Sequence, residues 1–189
     1  MAYNLLKGKR GIIFGALNDL SIAWKVAERA VEEGAEIVLT NTEISLRMGE
    51  ISKLAERCNA PIIAADATKV EDLEALVDRA MEHFGGKFDF VLHSVGMSPN
   101  VRKSIPYQSL NYTFLDRTLD ISAVSFHKVL QVLYAKDALN EWGSVVALTY
   151  MAAQRTFIGY SDMADAKALL ESIARSFGYI YGVEKHVRI

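Results

Sequence analysis

The chain has 189 residues, 51% of them apolar and 23% charged, with a formal net charge of −2. These values describe a globular chain long enough for one sizeable core. With no Lys/Arg cluster, they exclude the basic stripe of a nucleic-acid surface. The single cysteine, Cys58, leaves no intramolecular disulfide and fits a reducing compartment. The opening MAYNLLKGKR lacks the apolar core of a signal peptide, and no run approaches the length of a membrane span. A cytoplasmic protein is expected.

In chain order, RGIIF (10–14) reads as a buried strand and SIAWKVAERAVEEG (21–34) as a helix, with Ile22, Val26 and Ala30 beside Ala23 and Ala27 on one face. EIVLT (36–40) is a strand, 44–58 a helix, PIIAA (61–65) a strand, 70–85 a helix and FDFVLHS (88–94) a strand. A polar loop leads to a long helical stretch at 111–139. GSVVALTY (143–150) is then a strand, 158–181 a helix, and HVRI (186–189) the start of another strand. Strands alternating with helices at this spacing imply parallel pairing through right-handed crossovers. Near-continuous apolar strands imply a sheet covered on both faces. With no repeat, low-complexity tract or linker, residues 1–189 are expected to form a single doubly wound α/β domain, Rossmann-like, with helices on both faces.

Such sheets bind ligands beyond the carboxyl ends of their strands, so the residues following each strand carry the interest. Gly15 ends the first strand, where a missing side chain permits a tight turn and close approach to a pyrophosphate. Ser21 can cap the next helix or donate to a phosphate at its positive end. The three-glycine dinucleotide fingerprint is absent, and the turn alone reads equally as an ordinary capped helix start. Asn41 and Thr42 after the second strand are neutral, with Glu43 close by, which leans toward NADH, NADPH not being excluded. Asp66 could accept from an adenine amino group or simply cap its turn. Gly96 falls where a ribose would approach backbone. All these residues lie at one edge of one sheet.

Tyr160 and Lys167 are seven residues apart. If the helix already runs from Tyr160, they share a face about 10 Å apart along the axis, a gap suited to gripping two parts of one ligand. Lys167 could hold nicotinamide ribose hydroxyls, and Tyr160 could reach a substrate carbonyl. A nearby ammonium would favour phenolate character. Tyr150 points toward the same space. His83, His93, His127 and His186 are scattered and form no ligand pair, so no metal is expected, and His93 reads as a core histidine.

Taken together, Gly15 followed at a distance by SIA (21–23), HSVGMSP (93–99), DISAVSF (120–126) and LTYMAAQRTFIGYSDMADAKALLESIARSFG (148–178) resemble the NADH-dependent enoyl-acyl-carrier-protein reductases of bacterial fatty acid synthesis. These are a divergent branch of the short-chain dehydrogenase/reductases. The resemblance runs from LLKGKRGIIFG to the end, and the pairing of Gly-x5-SIA with Tyr-x9-Tyr-x6-Lys is specific to the branch. Ordinary relatives use a glycine-richer turn and a Tyr-x3-Lys pair. By resemblance, Tyr160 hydrogen-bonds the thioester carbonyl, Tyr150 is the second active-site tyrosine and Lys167 anchors the nicotinamide ribose. Gly15, Ser21 and Ile22 lie at the pyrophosphate. Thr42 stands where the family often has a longer polar residue at the adenosine ribose. Asp66 and Ala67 border adenine, Ser94, Val95 and Gly96 the inner ribose, and Ser98 the substrate. Acyl carrier protein is the implied partner, with Arg102 and Lys103 near the site mouth, and a homotetramer is implied through the long helices. The resemblance also implies a chain lacking the family's C-terminal substrate-covering helices and last strand. Another short-chain reductase acting on a ketone or alcohol, or a non-catalytic dinucleotide-binding subunit, stand as alternatives.

Overall fold

A computed structural model describes residues 2–189. Four strands, β1 (Arg10–Phe14), β2 (Glu36–Thr40), β3 (Phe88–His93) and β4 (Leu139–Ala147), form a parallel sheet in the order β2-β1-β3-β4. The register sets Phe14 beside Thr40 on one side and beside His93 on the other. Alternate residues feed two cores. Ile12, Phe14, Val38, Val91 and Val145 face one layer, and Ile13, Ile37, Leu39 and Leu92 the other. Sheets buried on both faces need such doubly apolar strands.

The second layer is covered by α1 (Ile22–Glu32) and α3 (Ile51–Cys58). Here the sequence expectation needs correction. The buried face of α1 is Ala23, Trp24, Ala27 and Ala30, whereas Ile22 and Val26 are exposed at 62% and 36%. Three alanines let the helix approach the sheet closely, and this rotation leaves Ile22 at the open strand ends. The helix expected at 44–58 is two pieces, α2 (Glu43–Met48) and α3, broken at Gly49. A Cβ there would press on the Leu17 carbonyl, and the Glu50 N–H donates to that same carbonyl at 2.8 Å. The break therefore seats the turn that follows β1.

The opposite layer holds α4 (Val70–Phe84), α7 (Ser125–Ala135) and α8 (Met163–Lys185). The stretch expected as one helix over 111–139 is α6 (Tyr112–Leu119), one wide π-type turn (Asp120–Val124) and α7, and β4 begins already at Leu139. A short α5 (Pro99–Arg102) precedes them. The segments at 61–65 and 186–189 lie beside the outer strands as single bridges, Ile62 to Leu39 and Arg188 to Ser144. Pro61 has no N–H to give to a ladder. Only its carbonyl pairs, with the Leu39 N–H at 3.0 Å.

Candidate functional site

The chain runs from β1 outward to β2, then returns to place β3 on the other flank of β1. Loops leaving β1 and β3 therefore diverge, and a crevice opens between them at the carboxyl ends. Gly15 lies at its floor with φ +91°, and a Cβ on it would overlap the Ser94 carbonyl oxygen. Both constraints require glycine. Ser21 does not cap α1. Its Oγ accepts from the Leu17 and Asn18 N–H groups, each at 3.2 Å, and so folds the 15–21 turn back on itself. The N–H groups at the start of α1 donate nothing to that hydroxyl, and those of Trp24 and Lys25 reach the Ser21 carbonyl instead.

Beyond β2, Asn41 donates to the Ala16 carbonyl at 3.0 Å and accepts from the Thr42 N–H at 2.9 Å. Thr42 Oγ1 caps α2 through the Ser45 N–H at 3.2 Å, so its hydroxyl is engaged locally. Asp66 behaves similarly, accepting from the Thr68 N–H and hydroxyl at 3.0 and 2.7 Å. Ala67 is buried beside it.

The loop after β3 joins the two halves. Ser94 meets Gly15, and two residues on, a Cβ on Gly96 would sit 3.7 Å from Lys167 Nζ. Gly96 itself is exposed, and the same Cβ would lie 3.9 Å from Met163 Cε and from Ser122 Oγ. Ser122, in the wide turn, holds this loop by donating to the Met97 carbonyl at 3.1 Å and accepting from its N–H at 3.0 Å. Ser98 lies elsewhere than expected for a substrate contact. It is 4% exposed, caps α5 and donates to Asp162 at 2.6 Å, so its hydroxyl faces the interior.

Lys167 is 7% exposed and donates to the Leu148 carbonyl at 2.7 Å. No carboxylate pairs with it among the described residues, and burial lowers its pKa. Two of its three N–H donors remain for a ligand. Tyr160 precedes α8 by three residues, so it and Lys167 do not share a helix face as the spacing suggested. The Tyr160 ring instead packs on Tyr150, centroids 4.5 Å apart, with Phe157 against both. The expectation of a phenolate is also corrected. Burial first, and Tyr150 second, raise the Tyr160 pKa, with no opposing contribution from Lys167. Tyr160 is therefore a phenol at neutral pH, an O–H donor.

His93 is fully enclosed under the crevice. Ser125 Oγ donates to the Ile121 carbonyl at 2.7 Å, so His93 Nε2 carries the proton directed at Ser125, 3.0 Å away, and Nδ1 is left unpaired. Burial, with Lys167 second, holds the His93 pKa down at about 3. The sequence reading missed Asp162, which is wholly buried. An Asp just before a helix reads as a cap, and nothing local marks it otherwise. A separate cleft of about 840 Å3 opens behind the Tyr160 turn, lined by Ile105, Arg155, Phe157, Ile158 and Ser161 among others. It touches neither Gly15 nor Lys167. Among the described residues no cluster of His, Cys, Asp or Glu suits a metal, and no helix is long and apolar enough to cross a membrane.

Comparison with known proteins bears on this geometry. Residues 15–189 match the family model described as enoyl-(acyl carrier protein) reductase. The NADH enoyl-acyl-carrier-protein reductases 1 and 2 of Rhizobium meliloti are 35% and 32% identical over 92% and 94% of this chain. The chain spans 63% and 65% of their lengths. The crystal structure of FabI from Alistipes finegoldii is 74% identical with a TM-score of 0.97, over 100% of this chain and 72% of that one. That of its FabI–NADH complex gives the same identity and TM-score over 99% of this chain and 66% of the other. This chain belongs to the enoyl-(acyl carrier protein) reductase family.

Proposed function

We propose that the protein reduces trans-2-enoyl thioesters carried on acyl carrier protein, using NADH. The observation that carries this is the Ser94–Gly96 loop, which meets the Gly15 turn at one end and passes beside Lys167 at the other. One elongated ligand can span both. The fit to a dinucleotide is local and physical. Gly15 and Gly96 leave backbone bare, the first turn of α1 offers N–H groups to a pyrophosphate, and Lys167 has donors to spare for ribose hydroxyls. Val95 and Ser94 would border that ribose, Asp66 and Ala67 the adenine, and Ile22 the pyrophosphate. Glu43 at the start of α2, paired with Arg47 at 3.5 Å, is the acidic group nearest the end of β2 and favours ribose hydroxyls over a 2′-phosphate, hence NADH.

The bound nicotinamide would supply a hydride to the β-carbon of the substrate. The protein's own part is to hold the thioester and stabilise negative charge as it gathers on the carbonyl oxygen, until a proton from solvent completes the α-carbon. A phenol kept protonated by burial suits that task, since it donates without first needing to gain a proton. Removing one such donor costs about 3–4 kcal/mol of barrier. Tyr150 fixes the plane of the Tyr160 ring. Lys167 stays at the ribose and leaves Tyr160 its proton.

Acyl carrier protein, being acidic, would be met by Arg102 and Lys103 at the end of α5. Exposed Tyr179 and Val183 on α8, 74% and 62% accessible, support a homotetramer through that helix. We place the protein in the cytoplasm. The test is NADH oxidation followed at 340 nm with crotonyl thioester. Turnover should require the thioester, fail with simple ketones, and fall at least about 100-fold in Tyr160→Phe. Undiminished turnover in that variant would remove Tyr160 from the reaction.

A further inference from the structure

The turn carrying Tyr160 is irregular. Gly159 and Ser161 take left-handed φ values of +84° and +48° on either side of it. A non-glycine residue in that region costs of order 1–3 kcal/mol and persists only where its surroundings hold it. Ser161 Oγ donates to the Ile105 carbonyl at 3.2 Å, one tie across. The stronger ties run through Asp162. Although it begins α8, its carboxylate makes no cap bond. It turns inward, where Oδ1 accepts from Ser98 Oγ at 2.6 Å and Oδ2 accepts from Asn100 Nδ2 at 2.7 Å; Thr118 Oγ1 lies 2.8 Å from Oδ2 and shares its one proton between it and the Phe114 carbonyl, also at 2.8 Å.

These partners are themselves fixed. Asn100 takes the Asn111 N–H on its oxygen and gives its amide to the Asn111 carbonyl, both at 3.2 Å, so it cannot flip without losing both. Ser98 also accepts the Val101 N–H at 2.9 Å. A carboxylate is acceptor-only, which this ring of donors requires. Either orientation of an amide would set a donor against a donor or strand the Ser98 hydroxyl. No cation pairs with Asp162 among the described residues, and a buried charge facing only neutral donors is a poor device for stability alone.

We infer that Asp162 is a positioning residue for the proposed reduction. Its carboxylate locks the Tyr160 turn to the loop running from Ser94 to Ser98, so that hydrogen-bond donor and cofactor edge keep one geometry. The inference rests on the reading of Tyr160 as carbonyl donor. It assigns Ser98, which the sequence suggested for substrate, to this lock instead.

The test uses Asp162→Asn with two readouts. The first needs neither cofactor nor substrate: the ultraviolet titration of Tyr160, taken as the difference between the protein and its Tyr160→Phe variant. Burial holds that phenol above its ordinary range, and releasing the turn should bring its midpoint down toward it. The second is a double-mutant cycle. Misplacement of about 1 Å costs on the order of 100-fold, so Asp162→Asn should lower kcat by about that factor with KM for the thioester little changed. It should add little further loss on the Tyr160→Phe background. An unmoved phenol midpoint with a lowered Tm, or losses that multiply across the cycle, would overturn the inference. Should Asp162→Asn fail to fold, Ser98→Ala and Thr118→Val each remove one tie and take the same readouts, and no change in either would overturn it equally. If Tyr160→Phe alone keeps full turnover, the catalytic reading fails, and the titration still decides whether Asp162 holds the turn.

Discussion

Across the crevice, Gly15 and Ser94 meet backbone to backbone, whereas the Tyr160 turn is tied through Asp162, whose partners lie 44 to 64 positions away from it. The first wall is fixed by what is missing, a single Cβ. The second is fixed by what is added, the Asp162 ring of donors and the stack on Tyr150. A wall built by exclusion fails all at once when a methyl is inserted. A wall built by ties weakens one bond at a time. The Gly15 side of the crevice is therefore stiff, and the Tyr160 side adjustable.

The largest expected contrast is between two glycines. Gly15→Ala adds both left-handed strain and a backbone overlap, and should destabilise by roughly 2–5 kcal/mol. Gly159 has similar φ but nothing within 4 Å of an added Cβ, so Gly159→Ala should cost only about 1 kcal/mol. Urea unfolding of the pair measures the difference, and equal costs would erase the distinction between the walls.

His93 probes how dry the floor beneath both walls is. Its folded pKa, about 3, lies below its ordinary value of 6.5. As pH falls through that window the unfolded chain takes up a proton that the folded chain refuses. Stability should therefore drop with falling pH, by about 3 kcal/mol at pH 4. His93→Leu should flatten that part of the acid unfolding profile.

Lys167 should show the opposite side of its burial. Its pKa is lowered on folding, so stability rises with pH between the folded and unfolded values. Lys167→Met should stabilise the protein at neutral pH by roughly 0.5–2 kcal/mol. That gain should shrink in thermal unfolding as pH climbs through the window. The smallest effect belongs to Ser21→Ala, which frees two N–H groups of an exposed turn and should cost about 0.5–1 kcal/mol in urea unfolding.

What could be read from the sequence follows the same division. Arg10–Phe14 and Glu36–Thr40 matched their expected bounds because a strand buried on both faces is an uninterrupted apolar run with polar ends. That Gly15 and Gly96 lie at one edge was legible because the strand-to-helix turns of a doubly wound sheet fall there. The start of α8 was not, since left-handed φ at Ser161 is imposed by distant partners and leaves no mark in local periodicity. The break at Gly49 was missed because the Leu17 carbonyl that requires it lies 32 positions earlier. Trp24 and the alanines displaced Ile22 from the core because closeness of packing, rather than hydrophobicity, set the rotation of α1. The lock at Asp162 was invisible for the reason that hid the turn: its three partners come from two other helices and the loop before them.

In the proposed complex one dinucleotide lies along the Ser94–Gly96 loop between the Gly15 turn and Lys167. Titration of NADH against the protein, followed by nicotinamide fluorescence, tests this most directly. Saturable binding is expected in the wild type and in Tyr160→Phe, and its loss by at least about 10-fold in Lys167→Met, since hydrogen bonds from a charged group are worth about 1.5–3 kcal/mol. Equal NADH affinity in Lys167→Met and the wild type would contradict it.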